Sequence, residues 1–281
     1  MGSPKIALLG GPNSGKTHFA GQLYGRLQRS SGGLTLRREQ GAPTDLSLLS
    51  EVLRCLEEGN AASHTSSSTW DTVFLPIIGE DGRCFDLHWP DYGGEQLKQV
   101  FKERSVDETW QRQLENADGW VILIRLKSEV TFSDALSRLQ NGNSEDGPDR
   151  NAAWDANAYW VEKLQILLHV ANVSLVRGIK KPRLAVLLSC YDEVLTGDEA
   201  PSEVLRRELP LLYAFLNSNW KKDSLSIWGL SSLGQTLNER SNSEQFIDNG
   251  PETQGWVIRP EGGERSSDLS LPLTWVLKGI N

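Results

Sequence analysis

Long apolar runs are missing from this chain. No stretch of the 281 residues approaches the ~18–20 consecutive apolar positions that a membrane-spanning helix requires. The opening Met1-Gly2-Ser3-Pro4-Lys5 carries no apolar signal-peptide segment, and Ile6 replaces the Ser or Thr that a myristoylation motif needs. Cysteine is scarce: Cys55, Cys84 and Cys190 are odd in number and far apart. That excludes a disulfide framework and a four-cysteine zinc site, and it points to a reducing, cytoplasmic setting. Basic charge is in deficit, with 29 Lys and Arg against 37 Asp and Glu and a net charge of −8. General nucleic-acid binding, which draws most of its affinity from a basic face, is therefore not expected. His18, His64, His88 and His169 do not cluster, and no His-Glu-x-x-His spacing or Gly-x-Ser-x-Gly elbow occurs.

What remains is enough for a core. Hydrophobic residues make up 38% and charged residues 23%, so global disorder is not expected. Short continuous apolar runs at Ile6–Leu9, Trp120–Leu126, Leu184–Leu188 and Leu225–Gly229 read as strands buried on both faces. Thr72–Ile78 and Cys84–Trp89 flank Asp81-Gly82 and read as a hairpin. Helical spacing marks the stretch carrying Phe19, Leu23 and Leu27, then 45–58, 159–176, 204–216 with Pro210 as a kink or first turn, and 271–280. Residues 30–44 read as loop, 95–116 as polar and helix-compatible, and Trp256-Val257-Ile258 as an edge strand. Strands alternating with helices predict a three-layer α/β fold. Its sheet is mostly parallel, of about six strands, with one antiparallel edge hairpin. One domain over 1–281 is expected, with a core at 4–234, insertions at 31–68 and 137–155, and a C-terminal extension at 235–281.

The strongest chemical signal is Gly10-Gly11-Pro12-Asn13-Ser14-Gly15-Lys16-Thr17, which fits G-x-x-x-x-G-K-[ST] between a buried strand and an amphipathic helix. Glycines let the backbone wrap around phosphates, and its N–H groups and the helix N-terminus favour anions. Gly10, Asn13, Ser14, Gly15 and His18 would line the phosphates, Lys16 would reach the outer ones, and the Thr17 hydroxyl would bind Mg²⁺. The Cys84–Trp89 run leads into Asp91-Tyr92-Gly93-Gly94-Glu95. An acid at a strand end can hold Mg²⁺ through water, and the Gly94 N–H, three residues on, can meet a terminal phosphate. The loop itself does not choose between ATP and GTP.

In their order, these parts resemble the translation-factor-related and Ras-like (TRAFAC) GTPases over roughly residues 4–234. The resemblance implies GTP and GDP as ligands with Mg²⁺. It makes Thr69, 22 residues before Asp91, a switch threonine on the metal, with Thr65 and Thr72 as neighbours of similar type. Ser189-Cys190-Tyr191-Asp192 occupies the place of the [NT]-K-x-D motif, with Asp192 as acceptor for guanine. Ser189 and Cys190 depart from that pattern. Ser231 and Ser232 match the loop whose backbone reads the guanine carbonyl. Glu95 stands where many such enzymes carry a water-orienting Gln, and Gln96 follows it. No arginine finger can be assigned among Arg37, Arg38 and Arg104. The long insertion before Thr69, the degenerate base motif and Leu271-Pro272-Leu273-Thr274-Trp275 are most similar to the bacterial double-GTPases of conflict and defence gene clusters. With Glu95 at the water-orienting position and no arginine finger assigned, a slow switch GTPase completed by a protein partner is expected, and the resemblance implies a setting in bacterial defence. An ATPase or kinase, and a nucleotide-binding module without turnover, stay open as alternatives.

Overall fold

A computed structural model describes residues 3–29, 33–37, 46–62, 72–90, 100, 102–106, 108–131, 155–176, 178–194, 197, 199–238 and 240–280. The chain opens with β1 (Lys5–Gly10) and α1 (Lys16–Arg29), then β2 (Leu34–Leu36), α2 (Ser47–Glu57), and the hairpin of β3 (Thr72–Gly79) and β4 (Cys84–Pro90). There follow α3 (Glu108–Glu115), β5 (Gly119–Ile124), α4 (Ala156–Val170), β6 (Arg183–Ser189), α5 (Pro201–Glu208), α6 (Pro210–Asn219) and β7 (Leu225–Ser231). The C-terminal part adds α7 (Glu244–Asn249), β8 (Trp256–Ile258) and α8 (Leu271–Lys278).

The sheet order is β2-β3-β4-β1-β5-β6-β7-β8. The five strands from β4 to β7 are mutually parallel, while β2, β3 and β8 run antiparallel to their neighbours. Two short edge strands thus lengthen the expected six-stranded sheet to eight. One of them corrects the loop reading of 30–44: Leu34-Thr35-Leu36 pairs with Ile77–Gly79. Three residues are too few for periodicity to show, and the pairing partner lies beyond the next helix.

Alternation along β1 divides the core. Ile6 and Leu8 face one side with Phe19, Leu23, Val121, Leu273 and Val276, placing α1 and α8 there. Ala7 and Leu9 face the other side with Trp120, Trp160, Leu164, Leu205 and Leu216, placing α4, α5 and α6 there. The result is helix, sheet, helix, as the buried parallel strands require. Pro210 splits the apolar stretch into α5 and α6 and sits in the first turn of the latter, where its missing N–H costs no helical bond. The run from Trp120 leaves the sheet after Ile124 and turns at Leu126–Ser128. The expected 159–176 helix starts earlier, because Asp155 caps Asn157 N–H, and it ends at Val170.

Candidate functional site

The centre of the sheet opens at the C-terminal ends of β1, β5, β6 and β7, where this architecture presents its ligand. At Gly10 the chain leaves β1 and folds back so closely that a Cβ there would lie 2.5 Å from Ser14 Oγ. Asn13 (φ 55) and Gly15 (φ 72) are left-handed, which turns successive N–H groups of the loop toward a common concavity. The side of Gly11 is open, with nothing within 4 Å of its Cβ position. Gly15 C=O then accepts Phe19 N–H at 2.9 Å and starts the ladder of α1. Lys16, in the first turn, is 6% exposed, and Thr17 is half-buried beside it.

Two buried hydroxyls at this end of the sheet, Ser14 Oγ and Ser189 Oγ, have no hydrogen-bond partner among the described residues. Burying a hydroxyl without a partner costs free energy, and a polar ligand at this end of the sheet would supply one. The left-handed loop, the buried ammonium of Lys16 and these orphaned hydroxyls fit a phosphate chain. Thr17 follows Lys16 in the first turn of α1. His18 goes elsewhere: its Nε2 accepts Ala62 N–H at 3.2 Å, tying α1 to the chain that follows α2. Thr69, Asp91, Gly94, Glu95 and Gln96 lie outside the described residues, as does Arg38. Arg37 pairs with Asp86 at 3.4 Å, and Arg104 pairs with Glu162.

The second turn of the site follows β6. Cys190 adopts a left-handed conformation (φ 49, ψ 44) and swings the chain into a 3-10 turn, Tyr191–Glu193. A Cβ at Gly15 would lie 3.8 Å from Cys190 Sγ, so this turn abuts the phosphate loop. Burial pushes the Cys190 thiol up to about 11, and it stays neutral at ordinary pH. Tyr191 is fully buried, with its ring edge-on to Trp256 at 6.4 Å and flat against Gly229, where a Cβ would come within 2.5 Å of the ring. That anchor leaves Asp192 half-buried, with its charge felt at Arg125 and Cys190 and no side-chain hydrogen bond among the described residues. Glu193 is held instead, in a two-pronged pair with Arg125 at the end of β5 (3.1 and 2.5 Å). The bond to Glu193 raises the Arg125 guanidinium above its ordinary value.

The third turn follows β7. Ser231 is buried, and its Oγ accepts Gly234 N–H at 3.0 Å, so this hydroxyl closes its own loop. Ser232 is buried as well. The structure thus gathers Gly10, Asn13–Thr17, Asp192, Ser231 and Ser232 around neighbouring strand ends and directs the His18 ring to Ala62. Sequence reasoning did not single out Tyr191, Gly229, Arg125 or Glu193. Their pairing is long-range, and only the coincidence of a Gly and a Tyr at neighbouring strand ends hinted at it.

A family model described as Double-GTPase 1 matches residues 7–276. No curated protein matches the chain. Among solved structures the chain is similar to a bacterial selenocysteine-specific elongation factor, EF-Sec, at 14% identity and a TM-score of 0.35, covering 83% of this chain and 26% of that one. It is also similar to elongation factor SelB from Methanococcus maripaludis in complex with the GTP analogue GppNHp, at 12% identity and 0.38, covering 83% and 31%. A third is the signal recognition particle receptor SRβ–GTP/SRX complex from Chaetomium thermophilum, at 15% and 0.37, covering 85% and 96%. The chain thus spans about a quarter to a third of the length of the two elongation factors. No helix among the described residues is long and apolar enough to cross a membrane.

Proposed function

The chain belongs to the Double-GTPase 1 family, and on that premise we propose that it is a magnesium-dependent guanine-nucleotide switch on a single domain, hydrolysing GTP slowly and acting through a protein partner. The observation that carries this reading is the phosphate loop: two left-handed residues, a buried Lys16 and an orphaned Ser14 hydroxyl at the end of a central parallel strand. The order of the remaining turns supports guanine, with Asp192 half-buried on the turn that abuts the loop and Ser231–Ser232 at the end of the next strand.

In this reading Lys16 and the N-terminal turn of α1 hold the outer phosphates and neutralise charge as it moves toward the leaving oxygen. Mg²⁺, bound through Thr17, Thr69 and Asp91, would add neutralising charge. Gly94 N–H senses the γ-phosphate, and the segments around Thr69 and Asp91–Glu95 change order with it. Glu95 is the reason for slow turnover. An ionised carboxylate accepts but cannot donate, so it orients water less well than an amide, and Gln96 is its neighbouring substitute. Completion of the site falls to a partner protein, in the cytoplasm, and the resemblance to conflict and defence proteins supports a role in bacterial defence.

Single-turnover GTP hydrolysis by wild type and Lys16→Ala tests this. Losing a charged hydrogen bond of about 1.5–3 kcal/mol predicts a fall of roughly ten- to a hundredfold in the variant. Undiminished turnover in Lys16→Ala would overturn the assignment.

A further inference from the structure

The C-terminal extension reaches the base side of the site. β8 pairs antiparallel with the end of β7, Ser231 opposite Trp256. Immediately before β8, Gly255 (φ +78) lies on the turn that follows Ser231. A Cβ there would fall 2.4 Å from Ser232 O, 2.9 Å from Ser232 C and 3.0 Å from Ser231 O. The approach is reciprocal, since a Cβ at Gly234 (φ +71) would lie 3.1 Å from Gly255 N. A Cβ at Gly255 would overlap the Ser232 carbonyl outright, and the left-handed backbone of both glycines favours a residue without a side chain.

The contact fixes the direction of two peptide planes. In a trans peptide the N–H points opposite to the carbonyl of the preceding residue. With Ser231 O and Ser232 O both turned to Gly255, the N–H groups of Ser232 and Leu233 point away from it. Neither N–H has a hydrogen-bond partner among the described residues. They form a pair of successive donors with a common direction, suited to a single carbonyl acceptor.

The strap is also anchored. Arg26, 4% exposed on α1, donates to the carbonyl of Gln254 and, at 2.5 Å, to Gln22 Oε1. The carboxylates of Asp268 and Glu252 oppose the loss of its charge on burial. The helix that begins at the phosphate loop therefore holds the segment that backs the third turn.

We propose that Gly255, anchored through Gln254 by Arg26, is the positioning residue that aims the Ser232 and Leu233 N–H groups at the carbonyl of a guanine base, so that base selectivity depends on the C-terminal strap. The inference rests on the guanine-nucleotide reading above.

Calorimetric titration of the full chain with GDP, ADP and pyrophosphate, each with Mg²⁺, tests it in wild type, Gly255→Ala and Arg26→Met. The loss of one well-aimed hydrogen bond, about 1.4 kcal/mol, corresponds to roughly tenfold weaker GDP binding in Gly255→Ala. Pyrophosphate affinity is expected to stay the same, so the GDP-to-ADP ratio falls. Arg26→Met is expected to lower the same ratio, and it decides the question if Gly255→Ala fails to fold by circular dichroism. GDP affinity unchanged in both variants overturns the proposal, and so does an equal loss for GDP and pyrophosphate. A wild type that does not distinguish GDP from ADP overturns the guanine reading itself, whatever the variants do.

Discussion

Gly229→Ala probes the anchor of the Asp192 turn. The new methyl would stand 2.5, 2.7 and 2.9 Å from Cδ1, Cε1 and Cγ of Tyr191. Ordinary carbon contacts are about 3.5–4.0 Å, so the overlap is about 1 Å at three atoms. Tyr191 is wholly buried and braced edge-on by Trp256, and the backbone at Gly229 is paired with Leu188 and Ile258 on its two sides. Neither partner can yield cheaply. Overpacking of this kind costs about 1–3 kcal/mol, and the rigid surroundings place it near ~2–3. At roughly 2–4 °C per kcal/mol for a chain of this size class, the melting temperature is expected to fall by about 4–12 °C. Thermal unfolding followed by circular dichroism reads this directly. In a Tyr191→Leu background the ring is gone, and the same Gly229→Ala change is expected to cost under about 0.5 kcal/mol. A single-variant cost below about 0.5 kcal/mol, or the same cost in both backgrounds, would refute the claim that Tyr191 holds this turn against β7.

Alkaline pH acts on the same turn. Burial raises the Cys190 thiol from 9.0 to about 11 and the Tyr191 phenol from 10.0 to about 12. Above pH 9 the unfolded chain releases protons that the folded chain keeps, so stability is expected to fall between pH 9 and 12, with Cys190→Ala removing the lower part of that fall in urea titrations. Asp155→Ala removes the side-chain bond to Asn157 N–H (2.9 Å) that starts α4. It is expected to cost about 1 kcal/mol, read as a lower urea midpoint with an unchanged slope.

The phosphate loop was legible because its residues are consecutive and its chemistry dictates their types. The central strands were legible for a related reason: β1, β5 and β6 are buried on both faces, so continuous apolar runs mark them without any knowledge of their partners. Pro210 announced the break between α5 and α6 by itself. The rest depends on contacts between distant positions. Arg26 reads in sequence as one more polar residue on an amphipathic helix, and only the returning chain at Gln254 makes it a buried anchor. Gly255 reads as a loop glycine until the carbonyls of Ser231 and Ser232 are found against it. Ser231 shows the opposite lesson. The motif marks its position, yet its hydroxyl accepts Gly234 N–H and so closes its own loop, a contact that the motif does not announce.

The most direct measurement is calorimetric titration of wild type and Asp192→Ala with GDP and ADP in the presence of Mg²⁺. Asp192 is half-buried and makes no side-chain hydrogen bond among the described residues, so its removal is expected to leave the fold intact and to strip the acceptor proposed for the base. The expected result is GDP preferred over ADP in wild type. In Asp192→Ala that preference falls by about ten- to a hundredfold, the worth of hydrogen bonds to a charged group. Equal binding of the two nucleotides by wild type, or a preference that survives in Asp192→Ala, would contradict the assignment of this site to guanine.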